Sequence, residues 1–202
     1  MTPRSLAFIA QATGGRLVGA DRMVDAVATD TRALPGGDAL FIALKGEQFD
    51  GHAHVQAAID GGCVAALVAR ELAIDAPQVV VADTERALAA FAAAVQRERS
   101  TTVLAITGSN GKTSVKTLLL SILQQVGSAY GSPGNRNNEI GLPLAVLAAP
   151  DDARFAVYEM GAGKPGDIAY LTAIARPDVS LVNNIAPAHL ERMGSLQGVA
   201  ET

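Results

Sequence analysis

The residues whose chemistry is clearest lie in a short glycine-rich loop, Gly108–Thr113. Glycines let backbone N–H groups close around phosphate oxygens, and the N-terminus of a following helix adds partial positive charge. A lysine at the position of Lys112 can reach β- and γ-phosphates, and the Thr113 hydroxyl can ligate Mg²⁺. The general phosphate loop has its first glycine where this sequence has Ile106, so the loop is shorter than usual. The pattern predicts a nucleotide-binding set made of Gly108, Ser109, Asn110, Gly111, Lys112 and Thr113.

A magnesium ion at such a loop needs a second protein ligand, usually an acidic residue at the end of a neighbouring strand. Glu159 fits this description because it ends an apolar stretch, residues 155–158, and a glycine-rich segment follows it. A carboxylate buried there without a cation would be costly. We therefore expect Glu159 to ligate the metal or its water, and a salt bridge or a capping role is the alternative.

Two other segments carry polar side chains at the same predicted edge. Asn135, Asn137 and Asn138 follow the phosphate helix, and amides that donate and accept together can grip phosphates, sugars or an amide-bearing substrate. An ordinary turn is the alternative. His189 follows the last strand, although a loop histidine is by itself more often a solvated or hydrogen-bonded side chain. We assign no chemical role to His52 and His54.

Composition limits the class of protein. The chain has 202 residues, 49% of them hydrophobic, and a net charge of −4, which argues against nucleic acid or an anionic membrane as the principal partner. Cys63 is the one cysteine, so no internal disulfide is possible, and its apolar neighbours predict a buried structural thiol. No signal peptide and no apolar run of transmembrane length is evident. The sequence predicts a soluble cytoplasmic α/β protein.

The loop is positioned by a strand before it and a helix after it. Thr102–Thr107 reads as a buried strand, and the helix predicted over Lys112–Val126 has an apolar stripe at helical spacing. The stripe consists of Val115, Leu118, Leu119, Ile122 and Val126. A polar connection, Gly127–Gly141, leads to strands at Phe155–Met160 and Val179–Asn183 with a helix at Asp167–Ile174 between them. Alternating strands and helices predict a parallel sheet with its ligand site at the strand carboxyl ends.

Residues 1–83 alternate strands and helices without a phosphate loop, so we expect a separate small α/β domain there. Its first helix is predicted to start at Thr2-Pro3 and to stop at Gly14-Gly15. The further elements are strands at Val24–Thr29, Ala39–Leu44, Val64–Ala69 and Gln78–Ala82 and a helix at about His54–Asp60. A long alanine-rich helix from about Thr84 to Arg99 opens the second domain, residues 84–202. The last five residues look like an unfinished helix, and we expect the sequence to be part of a longer chain.

Several segments together resemble the Mur ligase family. TGSNGKT at Thr107–Thr113 is similar to the ATP loop of that family, including the missing first glycine. The other matching segments are DTRALPGGDALFIALKGEQFDGH at Asp30–His52, SPGNRNNEIGLP at Ser132–Pro143, EMGAGKPGDI at Glu159–Ile168 and NNIAPAHLERMGS at Asn183–Ser195. These segments resemble the family member that extends a UDP-linked muramoyl-tripeptide, and the similarity covers nearly the whole chain.

The resemblance implies a three-domain enzyme of roughly twice this length. Its N-terminal domain would bind the UDP end of the substrate, its central domain ATP and Mg²⁺, and its C-terminal domain, absent here, would close over the site. The sequence would thus hold a small N-terminal α/β substrate domain and a truncated P-loop central domain with a mainly parallel sheet. The family's carbamylated lysine is expected beyond Thr202.

The resemblance also implies the reaction, ATP-dependent joining of D-alanyl-D-alanine to UDP-N-acetylmuramoyl-tripeptide through an acyl phosphate, in peptidoglycan synthesis. Lys112 would neutralise the phosphates, and Thr113 and Glu159 would hold one Mg²⁺. His189 would help to place a second Mg²⁺. The implied substrate residues are Asp30, Thr31, Arg32, Lys45 and Gly46 at the UDP end and Asn135, Asn137 and Asn138 near the phosphates.

Two other functions stay open from the sequence. A folylpolyglutamate-type ligase uses the same short ATP loop, but the Asp30–His52 segment argues against it. A non-catalytic nucleotide-binding module is the second alternative, and we expect this chain alone to be inactive. The expected partners are small molecules, with neither nucleic acid nor membrane insertion, and the expected state is a monomer.

Overall fold

The computed structural model describes residues 1–46, 48–187 and 190–202, leaving aside the side chain of Leu190. The chain folds into two compact units, Met1–Ala94 and Val95–Thr202, which are described separately. The division falls within a long helix that begins at Thr84, the first residue of the second predicted domain. The domain boundary predicted after residue 83 stays a prediction.

The first unit is built around a sheet of five strands among the described residues, in the order β2-β7-β6-β5-β4. Strands β4 to β7 are parallel, β2 is antiparallel to β7, and β1 and β3 form a separate antiparallel pair. The central strands β5 and β6 are buried along their whole length, as expected for apolar strands with both faces covered. The elements are β1 (Arg4–Ser5), α1 (Leu6–Thr13), β2 (Arg16–Val18), β3 (Met23–Val24), β4 (Ala26–Ala28), β5 (Ala39–Ile42), a 3₁₀ turn (Gly51–His54), α2 (Val55–Asp60), β6 (Ala65–Val68), β7 (Gln78–Val80) and α3 (Thr84–Glu98), whose residues 95–98 belong to the second unit.

The predicted start of the first helix is wrong. Helix α1 begins at Leu6, and the Ser5 hydroxyl caps it by accepting a hydrogen bond from the Phe8 N–H at 3.1 Å. The reason is tertiary, because Arg4 and Ser5 pair with β3 as a short strand and leave Thr2-Pro3 outside the helix. The predicted burial of Cys63 is confirmed, since this thiol lies in the core beside α2.

The second unit has one sheet of four strands within the described ranges, in the order β11-β8-β10-β9. All of the strand pairs are parallel, so the carboxyl ends of the strands meet at one edge, and the predicted α/β class is confirmed. The elements are β8 (Thr102–Thr107), α4 (Lys112–Leu123), β9 (Ala129–Gly131), α5 (Gly141–Ala148), β10 (Phe155–Glu159), α6 (Asp167–Ala175), β11 (Val179–Val182), α7 (Leu190–Met193) and α8 (Leu196–Ala200).

The Gly127–Gly141 connection is more ordered than the sequence predicts. It contains β9, which pairs with β10 at the edge of the sheet, and helix α5 begins at its last residue. The helix escapes sequence reasoning because GLPLAVLA is apolar on all sides and has no helical period. Pro143 is tolerated because it lies in the first turn.

The buried face of α4 also differs from the prediction. Leu118, Ile122 and Val126 are 57–65% exposed, and the helix ends at Leu123, before Val126. The face that packs towards β9 and β10 carries the half-buried Val115, Leu119, Leu120 and Leu123 together with the buried Lys116. Because a lysine lies in the middle of the buried face, the spacing of the apolar residues alone predicts the wrong face.

Over the parts of the chain that the structure describes, none of the helices has both the length and the apolar character needed to cross a membrane.

Candidate functional site

The loop between β8 and α4 needs glycine at two positions. Gly108 has φ 138° and Gly111 has φ 75°, both in the left-handed half of conformational space that glycine adopts freely. A Cβ on Gly111 would lie 2.8 Å from the Asn183 side-chain nitrogen, and one on Gly108 would lie 3.0 Å from the Asn184 backbone nitrogen. The loop can therefore keep this shape only with glycine at both positions.

Two asparagines after β11 hold the loop from the neighbouring strand. Asn183 Nδ2 donates to the Asn110 carbonyl at 2.7 Å. The Asn184 side chain accepts from the Asn110 N–H at 3.0 Å and donates to the Asn110 carbonyl at 3.1 Å. Sequence reasoning assigned no role to either asparagine, although their place directly after a strand next to the loop strand was a usable signal. The loop is thus held in shape before any ligand binds.

The Lys112 side chain turns back over the loop, and its ammonium group donates to the Gly108 carbonyl at 2.7 Å. This position puts a positive charge at the mouth of the loop, where the N-terminus of α4 also contributes partial positive charge. Lys112 lines two cavities, and Ala162 is shared between them as well. The Lys112 ammonium would therefore attract an anion to the loop.

Glu159 lies at the carboxyl end of β10, 3% exposed, and both of its oxygens are engaged. The Thr113 hydroxyl donates to Oε2 at 2.9 Å, and Asn137 Nδ2 donates to Oε1 at 2.9 Å. Lys116 Nζ lies 3.4 Å from Oε2. Burial by itself raises the pKa of Glu159. The hydrogen bonds from Asn137 and Thr113 and the charge of Lys116 outweigh burial, so the net pKa lies below its usual value and Glu159 is ionised near neutral pH.

The Thr113–Glu159 pair has the chemistry and the spacing of a magnesium site. Mg²⁺ holds hard oxygen ligands at about 2.0–2.1 Å in an octahedron, which places neighbouring ligands about 3 Å apart. The Thr113 hydroxyl oxygen and Glu159 Oε2 are 2.9 Å apart. Among the described residues no group of three or more His, Cys, Asp or Glu side chains forms a metal cage. Magnesium at a phosphate loop does not need one, because phosphates and water complete its coordination.

The predicted asparagines are not equivalent. Asn137 bonds Glu159, and its carbonyl accepts from the Gly161 N–H at 2.7 Å. Asn138 Oδ1 accepts from the Gly141 N–H at 2.8 Å and so caps the start of α5. Asn135 is exposed on the turn before them. Asn137 and Asn138 line a cavity of about 290 Å³ that also touches Lys112, Lys164 and Arg192. His189, the other residue predicted for this edge, lies outside the described residues.

A second cavity, of about 190 Å³, is lined by the loop itself. The loop residues Gly108 and Ser109 form one wall, and apolar side chains including Val182, Ile185 and Met193 form another. Ser109 is fixed here because its hydroxyl donates to the Ala186 carbonyl at 2.9 Å. A ligand with both an anionic and an apolar part would find both surfaces beside this loop.

In the first unit, three of the five predicted substrate residues line a cavity of about 590 Å³: Asp30, Thr31 and Arg32. The Arg32 guanidinium pairs with the Asp30 carboxylate at 2.6 Å, and the hydrogen bonds from Arg32 lower the pKa of Asp30 to about 2. Lys45 and Gly46 are exposed on a nearby turn and are not among the described residues that line the cavity.

Two aromatic rings in this cavity were missed by sequence reasoning. Phe49 and His54 stack with their centroids 5.3 Å apart and an interplanar angle of 11°. His52, by contrast, is buried and fully engaged: Nδ1 lies 2.6 Å from Asp50 Oδ1, and Nε2 accepts from the Ala69 N–H at 2.8 Å. The ring of His52 is therefore a structural link.

Comparison with known sequences gives two family matches that together span residues 23–202. Residues 23–106 match the Mur ligase family, catalytic domain, and residues 106–202 match the Mur ligase middle domain. The UDP-N-acetylmuramoyl-tripeptide–D-alanyl-D-alanine ligase of Escherichia coli is 47% identical over 197 residues, which are 98% of this chain and 43% of that protein.

Solved structures agree with these matches. A crystal structure of MurF from Acinetobacter baumannii has a TM-score of 0.93 at 35% identity, covering 99% of this chain and 45% of that one. The MurF ligase of Thermotoga maritima in complex with ADP has a TM-score of 0.81 at 35% identity, covering 89% of this chain and 42% of that one. The chain spans less than half the length of the relatives that it matches. It belongs to the Mur ligase family.

Proposed function

We propose that this chain supplies the nucleotide-substrate and ATP-binding parts of a ligase that joins D-alanyl-D-alanine to UDP-N-acetylmuramoyl-tripeptide. The observation that carries the proposal is the Thr113–Glu159 oxygen pair at the end of an intact phosphate loop. The 47% identity to the E. coli ligase of that specificity supports the choice of substrates. The proposed setting is peptidoglycan precursor synthesis in the cytoplasm, with a monomeric protein.

The triphosphate of ATP would lie in the Gly108–Thr113 loop, held by backbone N–H groups and the N-terminus of α4. Lys112 would leave the Gly108 carbonyl and bind the β- and γ-phosphates. The apolar wall of the smaller cavity suits a purine base. The T. maritima relative was solved in complex with ADP, which supports the choice of an adenine nucleotide as the ligand.

Thr113 and Glu159 would hold one Mg²⁺, and His189 is proposed to help place a second. When bound, magnesium supplies positive charge that offsets the charge of the phosphate oxygens during transfer. Asn137 keeps Glu159 in place from the opposite side, through Oε1, which leaves Oε2 directed at Thr113. The protein groups thus orient the oxygen ligands before the nucleotide arrives.

The reaction needs no protein nucleophile. The γ-phosphoryl group passes to the terminal carboxylate of the tripeptide and forms an acyl phosphate and ADP. The amino group of D-alanyl-D-alanine then attacks the acyl carbon, the amide forms, and inorganic phosphate leaves with the bonding electrons of the acyl–oxygen bond. Positioning and charge neutralisation are the protein's contribution to such a transfer. Lys112 provides charge, and Asn135, Asn137 and Asn138 would position the substrate beside the phosphates.

The UDP end of the substrate is proposed to bind at the cavity of the first unit. Asp30, Thr31 and Arg32 line it, and Lys45 and Gly46 on the neighbouring turn would reach a diphosphate. The stacked Phe49 and His54 rings give this cavity a flat aromatic surface of the kind that receives a base.

Isothermal titration calorimetry tests the proposal. This chain should bind ADP more tightly with Mg²⁺ than without it, and should bind UDP-N-acetylmuramoyl-tripeptide independently of ADP. The full-length protein containing this sequence should form UDP-N-acetylmuramoyl-pentapeptide from both substrates and ATP. If the chain binds ADP but does not bind UDP-N-acetylmuramoyl-tripeptide, a non-catalytic nucleotide-binding module is favoured. Turnover with a folate and glutamate would favour a folylpolyglutamate-type ligase.

A further inference from the structure

The most unusual side chain of the second unit is Lys116, one turn beyond Lys112 on α4. It is 5% exposed, on the helix face that packs towards β9 and β10. Lysine is almost never fully buried unless it is paired, because removing an ammonium group from water is costly. A buried lysine here therefore needs a specific reason.

Three acceptors surround its ammonium group. Lys116 Nζ donates to the Ser132 carbonyl and to the Gly134 carbonyl, each at 2.9 Å, and lies 3.4 Å from Glu159 Oε2. Three acceptors satisfy the three donor hydrogens of an ammonium group. Lys116 thus joins the phosphate helix, the segment after β9 and the acidic residue at the end of β10.

The contacts lead on to the other groups of the site. The Ser132–Gly134 segment directly precedes Asn137, whose side chain bonds the opposite oxygen of Glu159. Ser132 Oγ accepts from the Glu159 N–H at 3.4 Å, so this segment meets the backbone of Glu159 as well. Asn137 on Oε1 and Lys116 on Oε2 therefore hold the Glu159 carboxylate between them.

We infer that Lys116 is a positioning residue: through Glu159 and the Ser132–Gly134 carbonyls it fixes the carboxylate beside Thr113 for magnesium bound with nucleotide. Its charge also stabilises the buried carboxylate while no metal is bound. The inference rests on the proposed binding of Mg²⁺ and nucleotide at this loop, and it assigns no contact between Lys116 and the phosphates.

A purely structural role for Lys116 predicts a different result. If Lys116 only stabilised the fold, its loss would lower the melting temperature and weaken ADP binding equally with and without Mg²⁺. If Lys116 is a positioning residue, its loss weakens only the part of ADP binding that depends on Mg²⁺. Partners that orient metal ligands typically change metal affinity by about 10- to 100-fold when they are removed.

The experiment measures ADP binding to the 202-residue chain by calorimetry over a range of Mg²⁺ concentrations. Variants K116M and K116R are compared with the unaltered chain, and R154M is the control. Arg154 directly precedes β10, at the end of the strand far from Glu159, so this control removes one cation from the same unit. Thermal melting followed by circular dichroism reports folding in each case.

We expect K116M to raise about 10- to 100-fold the Mg²⁺ concentration at which the enhancement of ADP binding by Mg²⁺ is half-maximal. The affinity for ADP without Mg²⁺ should change by less than about 3-fold. K116R, which keeps the charge, should recover most of the enhancement, and R154M should match the unaltered chain. A folded K116M with the unaltered magnesium dependence, or with equal losses in both conditions, overturns the inference.

Should K116M fail to fold, E159Q and the double variant K116M E159Q are compared instead. The double variant carries no buried unpaired charge, which is the main threat to folding. If Lys116 acts through Glu159, the two variants have the same magnesium dependence within about 3-fold, and a larger difference overturns the inference. Absence of any magnesium effect in the unaltered chain overturns the proposed function itself and, with it, this inference.

Discussion

The Thr113 hydroxyl and Glu159 Oε2 lie 2.9 Å apart, although 46 residues separate them in the sequence. Thr113 is in the first turn of the helix that follows β8, and Glu159 is the last residue of β10, the strand beside it. Parallel pairing places both at the carboxyl edge of the sheet. This pair gives the first prediction.

Glu159→Gln should raise the magnesium requirement for activity in the full-length protein far more than it changes affinity for the UDP substrate. Glutamine keeps the shape but lacks the charge that a hard cation prefers. The measurement is the initial rate against Mg²⁺ concentration, with Glu191→Gln as a control because Glu191 is exposed. An unchanged magnesium curve would reassign Glu159 to a structural role.

Lys112→Ala should lower turnover of the full-length protein by about 10²–10³-fold, as expected for loss of one group that stabilises charge in the transition state. The fold should survive, because the Lys112 ammonium donates to a carbonyl of the loop, that of Gly108, and not to a group of the core. Steady-state kinetics with a thermal melt checks both parts. Near-normal turnover in a folded variant would contradict the assignment of the loop.

Asn184→Ala should weaken ADP binding to this chain by about 5- to 150-fold. The substitution removes two hydrogen bonds to Asn110, each worth about 0.5–1.5 kcal/mol, and so loosens the loop that must be ordered on binding. Gln125→Ala, at an exposed position after α4, is the control. Equal ADP affinity in the Asn184 variant and the control would show that the loop keeps its shape without this clamp.

Gly111→Ala should destabilise the second unit by about 1–2 kcal/mol, the cost of placing a side chain in the left-handed region. The new Cβ would also meet the Asn183 amide at 2.8 Å, so ADP binding should fall as well. Gly36→Ala, in the first unit, controls for adding a methyl group without strain, because Gly36 does not have a positive φ and its Cβ would enter open space. Urea unfolding measures the difference, and a Gly111 variant as stable as the control would contradict the loop geometry.

Asp50 should make the first unit less stable in acid. The hydrogen bond from the His52 N–H, followed by the one from the His52 ring, lowers the pKa of Asp50 from 3.8 to about 2. A carboxylate with a lowered pKa stabilises the fold fully above its unfolded value, so this contribution disappears as the pH falls from about 4 to about 2.

The test is urea unfolding of the unaltered chain and of Asp50→Asn between pH 6 and pH 2.5. The variant should be the less stable protein at pH 6, and the two free energies of unfolding should converge as the pH falls. Asp75→Asn, at an exposed position, controls for the loss of a carboxylate. A difference that is constant over this range would contradict the proposed stabilisation by ionised Asp50.

Local sequence was enough to predict the glycine-rich loop and the strand and helix on either side of it. The β8 strand was placed within its observed bounds, Thr102–Thr107, and the following helix was predicted to start at Lys112, as it does. Short-range physics governs these features: glycines allow the turn, and apolar residues form the strand. The parallel order of the sheet also follows from the alternation of strands and helices.

Tertiary packing decided the rest of the site. Asn183 and Asn184 reach Asn110 because β11 pairs with β8, and the sequence does not state which strands are neighbours. Lys116 is buried while Leu118 on the same helix is 65% exposed, which is the opposite of what the hydrophobicity of the two side chains predicts. The reason is that a charge can be buried where carbonyl oxygens and a carboxylate converge on it. That convergence exists only after β9 and β10 have paired, so only the folded chain could reveal it.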